Sequence, residues 1–166
     1  MQYFNLKHLL VCCFLFFNSI SIAQTKTETI KWLNSKMPTK ATMFPDSFGN
    51  LEGTSIKILS TGDFTRDRDT HLANGQILNM TWKGNFKDLN PELIEITKVN
   101  SQFFIEISCS NCIKAENKTN GISELKYSVS KALFGPFLSS EANLDERLKK
   151  ALKHLIVLFG GQKEPF

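Results

Sequence analysis

The stretch from Asn143 to Gly161 constrains this chain more than any other. Leu144, Leu148, Ala151, Leu152, Leu155, Ile156, Leu158 and Phe159 recur at the helical period and share one broad arc, which predicts an amphipathic helix from Leu144 to Phe159. Arg147, Lys149, Lys150, Lys153 and His154 fall opposite, with Val157 the single apolar exception. Asn143 stands where an N-cap belongs, and Glu146 three residues on completes a capping-box pattern. Asp145 and Glu146 suit the positive end of the helix dipole, while Lys153 and His154 suit the negative end. Gly160 is the expected left-handed stop. So wide an apolar face needs a large partner surface, and the middle of the chain must supply it.

From Thr54 the period falls to two. Ile56 and Ile58 mark a first strand, closed by Thr61-Gly62. Asp63 to Leu72 is polar, but Asn74-Gly75 follows it and is a strong hairpin signal. Leu78, Met80 and Trp82 then alternate, and Gly84-Asn85 with Asn90-Pro91 bound a loop. Glu92 to Val99 and Gln102 to Ser108 predict a second hairpin about Asn100-Ser101, carrying Ile94 and Ile96 on one strand and Phe103, Ile105 and Ile107 on the other. Cys112 to Glu116 is a further short strand, Asn117 to Gly121 a turn, and Ser123 to Ser130 a strand through Leu125, Tyr127 and Val129. Lys131 to Glu141 reads as a connection broken by Gly135-Pro136. Upstream, Thr27 is placed to cap a short helix that runs to about Met37, with Ile30, Leu33 and Met37 on one edge, Trp32 beside them and Pro38 as the stop. Thr39 to Gly53 has no period and reads as a loop that Met43, Phe44 and Phe48 could pin to the core. The expected fold is α+β: about seven antiparallel strands in a bent sheet or partial barrel, capped by the C-terminal helix, with the short N-terminal helix docked on it. The 14 phenylalanines among 166 residues are enough for a sizeable core.

Met1 to Ala23 reads as a secretory signal peptide. Lys7 and His8 form its polar start, Leu9 to Phe17 its apolar run, and Ser21-Ile22-Ala23 the small-residue site, so cleavage is expected before Gln24. The run is short for a membrane span, and the remaining chain has no second one. The domain plan is then 1–23 leader, 24–53 helix and loop, and 54–166 strand-rich core with its helix. Formal charge is +4, or +3 once Lys7 is removed with the leader, leaving 19 basic residues against 16 acidic ones. Interspersed as they are, these charges argue against nucleic acid as a partner.

The order of strands followed by one long helix, over Thr54 to Phe159, resembles the pleckstrin-homology-like fold, in which two bent sheets are capped by a C-terminal helix. A lipocalin-like or cystatin-like arrangement is the rival. The leader, Thr29 to Asn34, Lys150 to Leu155, Gly160-Gly161 and Pro165-Phe166 together resemble small exported bacterial proteins, which implies a periplasmic or extracellular location and no particular activity. Pleckstrin-homology domains that bind phosphoinositides carry one basic residue on the first strand and two alternating ones on the second; Lys57, Arg66 and Arg68 stand at that spacing, but interleaved aspartates weaken a phosphate site.

Chemistry has few places to reside. Asp63, Asp67, Asp69 and His71 alternate along one strand face and offer carboxylates and an imidazole for metal binding or acid–base work; Asp67, Asp69 and His71 are the catalytic candidates. The simpler reading is an edge strand kept soluble on both faces. Cys109 and Cys112, the two cysteines that survive leader removal, are a disulfide candidate, or two thiols, about a two-residue turn between strands. Redox catalysis would want Cys109 at a helix start, and the pattern places it after a strand. His154 reads as a solvent-facing or partly packed imidazole. No nucleotide-binding glycine pattern, zinc quartet, Gly-x-Ser-x-Gly elbow or His-Glu-x-x-His stands in the sequence, so no cofactor or metal is expected. The expected function is a non-catalytic exported binding or structural module for an unknown protein or small ligand. The alternatives are a small hydrolase or metal-dependent enzyme using the Asp/Asp/His face, and a carrier of a small apolar ligand in an incompletely filled barrel.

Overall fold

A computed structural model describes residues 25–38, 43–45, 51–72, 74–138 and 141–161. The expected leader, its cleavage site before Gln24 and the side chains of Met43, Phe44 and Phe48 lie outside the described residues. The elements run α1 (Lys26–Lys36), β1 (Met43–Pro45), β2 (Leu51–Ile58), β3 (Asp63–His71), β4 (Ile77–Asn85), a 3-10 turn (Phe86–Asp88), β5 (Ile94–Val99), β6 (Gln102–Thr119), β7 (Ile122–Leu138) and α2 (Leu144–Leu158). All pairings are antiparallel, and the strands form one curled sheet, a half-barrel. Six strands have six residues or more, and the three-residue β1 adds an edge to β2.

The strands depart from the expected plan in Thr39 to Gly53, expected as a loop but holding β1 and the start of β2, and at two further places. Gln102–Ser108 and Cys112–Glu116 are not two strands about a turn; they are one strand, β6, with a bulge over residues 109–112. Ser108 faces Lys131 and Ile113 faces Val129, so four residues of β6 oppose Ser130 alone. Asn111 takes φ 50° at the bulge. The bulge is also where β6 changes neighbours on one edge: residues 102–107 pair with β5, and residues 114–119 pair with β4. The second of these two is β7, which continues through the cis Gly135-Pro136 peptide to Leu138 instead of stopping at Ser130. Gly84 and Asn85 likewise belong to β4, not to a loop. Gly84 is needed there because a Cβ would meet Ile113 Cδ1 at 2.5 Å and Phe64 Cζ at 2.6 Å.

α2 runs as the periodicity predicts, burying Leu144, Leu148, Leu152, Leu155 and Ile156 and exposing Val157. Leu158, expected on the apolar arc, is exposed. The capping box expected at Asn143 is absent: Asn143 is left-handed (φ 55°, ψ 26°) and its side chain makes no cap bond. The box forms instead on α1, with Thr25 rather than Thr27 as the cap: Glu28 N–H donates to Thr25 Oγ1 (3.2 Å) and Thr25 N–H donates to Glu28 Oε2 (2.9 Å). α2 ends in a Schellman pair, with Gly160 N–H to Val157 O (3.1 Å) and Gly161 N–H to Ile156 O (2.8 Å).

The helices pack against β2, β5, β6 and the 3-10 turn. Asn34 on α1 extends the sheet edge by donating to Ile58 O (2.8 Å) and accepting from Ile58 N–H (2.9 Å). With β1 on residues 51–53 and Pro38 O accepting from Ile56 N–H (3.2 Å), the outer edge of β2 is covered at these points. The core centres on Phe64, Phe86 and Phe134, whose rings lie 5.0–6.0 Å apart, and Phe159 of the helix C-cap stacks on Phe86 at 6.0 Å.

Candidate functional site

Cross-strand register sorts the sheet into two faces. On the outer face one row runs Lys57, Thr65, Lys83, Lys114 and Ser128, and the next Ser55, Asp67, Thr81, Glu116 and Lys126. On the inner face one row runs Ile56, Arg66, Trp82, Ala115 and Tyr127, the next Thr54, Arg68, Met80, Asn117 and Leu125, and the last Glu52, Thr70, Leu78, Thr119 and Ile122.

The aspartates of β3 lie on the outer face, and β3 is an interior strand between β2 and β4, not an edge. Each carboxylate is engaged by a neighbouring side chain: Asp67 accepts from Thr81 Oγ1 (2.7 Å), Asp69 from Asn79 Nδ2 (2.8 Å), and Asp63 from Asn85 Nδ2 (2.7 Å) and Thr61 Oγ1 (2.6 Å). The Thr61 hydroxyl and then the Asn85 amide hold the Asp63 carboxyl below its ordinary value. His71 is exposed at the strand end, opposite Ile77. The candidates are strung along the strand instead of converging, and among the described residues no group of three His, Cys, Asp or Glu side chains is placed to hold a metal ion.

The outer face also carries a shallow cleft of about 400 Å³ lined by Thr81, Lys83, Lys114, Glu116, Lys126 and Ser128. A second, of about 330 Å³, lies between the helices, where Arg147 sits 5.3 Å over the Trp32 ring and His154 contributes to the wall. Lys57 is on the outer face while Arg66 and Arg68 are on the inner one, so the three basic residues at phosphoinositide spacing are not brought together.

Cys109 and Cys112 form a disulfide with a Cα–Cα distance of 5.8 Å, closing the bulge of β6. Cys109 is buried. Ser130 ties the same bulge from β7, accepting from Asn111 N–H (3.3 Å) and donating to Asn111 Oδ1 (3.1 Å).

The inner face is divided. Towards α2 it is filled by Phe64, Phe86, Phe134 and the helix. Towards the tips of the β3–β4 and β6–β7 hairpins it keeps exposed apolar side chains: Ile122 is 72% exposed, Leu125 55% and Tyr127 36%, while Leu78, Met80 and Trp82 are half-buried. Two arginines stand at the boundary. Arg68 pairs with Glu52. Arg66 is only 7% exposed, its guanidinium carbon lies 4.7 Å over the Trp82 ring, and its Nε is buried without a hydrogen-bond partner. Burial pushes the Arg66 guanidinium down to about 10, so it stays charged at neutral pH. The polarity of β3 hid this site. The signal that marks it is parity: Arg66, Arg68 and Thr70 share their face with Phe64, which belongs to the core. Comparison with protein-family models, with curated proteins and with solved structures returned no significant match to this chain.

Proposed function

We propose that this protein is an exported, non-catalytic binding module whose binding surface is the open end of the inner sheet face. One observation carries the reading. Leu78, Met80, Trp82, Leu125 and Tyr127 stay partly or largely accessible on a concave face whose other half is tightly filled. Exposed apolar side chains grouped on one face, rimmed by polar groups, mark interaction sites. The Asp67, Asp69 and His71 candidates favour no enzyme, since each aspartate is held by a β4 side chain on the solvated face. Strands first and a capping helix last support a pleckstrin-homology-like assignment for the half-barrel. The leader supports export, and the mass of the secreted protein tests it: a chain beginning at Gln24 is expected, and one retaining Met1 refutes it.

Binding is tested with the neutral dye Nile red on the full exported chain. Saturable binding is expected, lost on Leu125→Arg on the inner face and kept on Lys126→Glu on the outer face. Failure of the parent protein to bind, or equal binding by Leu125→Arg, would place the binding surface elsewhere.

A further inference from the structure

Among the described residues of the inner face, Arg66 is the buried charged side chain that packing does not explain. A guanidinium removed from water is normally paired with a carboxylate. The inner-face carboxylate nearest in register, Glu52, is engaged by Arg68; among the described residues the Arg66 side chain makes no ion pair, and its Nε has no hydrogen-bond partner. Its guanidinium lies over the face of Trp82. Stacking uses the flat side of a guanidinium and leaves its N–H donors free in the plane. Trp82 therefore holds Arg66 in place without satisfying it. Beside it, Trp82, Met80 and Leu78 follow one another on the inner face of β4 and form an apolar track that leads outward, with Leu125 and Ile122 of β7 on the far side of Asn117 and Thr119. A fixed, unsatisfied fork of donors at the inner end of an apolar track is complementary to a molecule with an anionic head and an apolar tail. Arg66 and Arg68 together with Glu52 carry a net charge of +1 (two positive, one negative), which matches a singly charged head better than a doubly charged one.

We propose that the inner face binds an anionic amphiphile, a long-chain carboxylate, with its head on Arg66 and its chain along Trp82, Met80 and Leu78. The inference rests on the inner face being the binding surface and adds the identity of the ligand class.

The test measures binding of dodecanoate, dodecanol and dodecyl phosphate to the full exported chain by calorimetry, in parent, Arg66→Met and Arg66→Lys proteins. In the parent, dodecanoate is expected to bind about ten-fold or more tighter than dodecanol, the size of one charge-assisted hydrogen-bond set. In Arg66→Met the two should bind within about three-fold of each other, and Arg66→Lys should restore part of the preference. The Arg66 Nε–H resonance of the unmodified chain gives a readout independent of variant folding: it should shift with dodecanoate and stay still with dodecanol. Equal affinity for acid and alcohol in the parent, a preference that survives Arg66→Met, or a static Nε–H resonance would overturn the proposal while leaving Nile red binding intact. Tighter binding of dodecyl phosphate than of dodecanoate would overturn the carboxylate assignment. If neither dodecanol nor Nile red bound, the binding surface itself would be wrong.

Discussion

Arg66 and Trp82 are register partners across β3 and β4, with the guanidinium carbon 4.7 Å from the ring centre. Their contact is the boundary of the inner face. On one side the next pair is Phe64 and Gly84, inside the aromatic core; on the other it is Arg68 and Met80, on the open end. Cation–π contact of a desolvated guanidinium is worth roughly 0.5–2 kcal/mol, whereas a buried donor without a partner costs about 1–3 kcal/mol. The second effect is the larger, so Arg66 does not stand at this position for the stability of the free protein.

Arg66→Met should accordingly stabilise the ligand-free chain by on the order of 1 kcal/mol, because methionine is unbranched, puts an apolar end where the guanidinium lies over Trp82 and removes the unsatisfied charge. Urea denaturation of parent and variant measures this. A loss of stability of more than about 2 kcal/mol would show that the guanidinium has a structural partner.

The structure also shows which sequence signals were sufficient. α2 was legible because its period holds for four turns and its buried face is continuous. Its cap was not, because Asn143 adopts a left-handed conformation that the residue type permits but does not announce. The break in alternation at Cys109 to Cys112 signals a bulge as readily as a turn, and only the long pairing of β6 with β7 separates the two. Gly135-Pro136 looked like a breaker, yet the proline falls in the register shift between Phe134 and Phe137, where the ladder asks no donor of it. Polarity alone puts β3 at an edge because it counts an arginine head as solvent-seeking, whereas the Arg66 guanidinium is buried over the Trp82 ring. Spacing likewise groups Arg66 and Arg68 with Lys57, whereas parity puts Lys57 on the opposite face.

The turn between β2 and β3 is expected to be sensitive through a helix far away in sequence. Gly62 has φ +87°, and a Cβ there would lie 2.6 Å from Cδ1 of Phe159, the ring that stacks on Phe86. Gly75 has nearly the same φ, +81°, with nothing within 4 Å. Gly75→Ala should cost about 1–2 kcal/mol, the backbone penalty alone, and Gly62→Ala should cost roughly 1–3 kcal/mol more for displacing the ring. Chemical denaturation of the two variants measures the difference. Equal losses would mean that Phe159 does not pack over the turn in solution.

Acid should loosen the fold through Glu106 among other carboxylates. It accepts from Lys131 Nζ (2.9 Å) and from Thr97 Oγ1 (3.0 Å), and the lysine contact is the main reason its carboxyl is held below the ordinary value of 4.5. A folded value below the unfolded one means that the contribution is complete above about pH 4.5 and is lost as the pH falls through the folded value. Asp145, held down first by Lys98 at 2.6 Å, acts in the same direction. Thermal melts between about pH 6 and pH 3 should fall less steeply for Glu106→Gln than for the parent. Parallel falls would show that the Glu106 contacts add nothing in solution.

The disulfide is expected to hold the geometry of β6 and to do no redox chemistry. Cys109 is buried and lies within β6, so no helix terminus stabilises a thiolate there. The ring spans a sequence separation of three. Closing so small a loop in the unfolded chain is worth about 2 kcal/mol in the chain-entropy view, which sets the scale of the loss for the Cys109→Ser, Cys112→Ser double variant. The position gives that loss a local signature. The bulge is where β6 leaves β5 and joins β4, and residues 109–112 have few ladder partners of their own. Amide exchange should therefore quicken around Asn111 to Ile113 in the variant while Phe103 to Ile107, held by β5 and β7, stay protected. The parent protein should show no turnover in an insulin-reduction assay. Catalytic reduction of insulin by the parent, lost in the double serine variant, would make the pair a redox centre; uniform acceleration of exchange across β6 would show that the disulfide supports the whole strand and not the bulge.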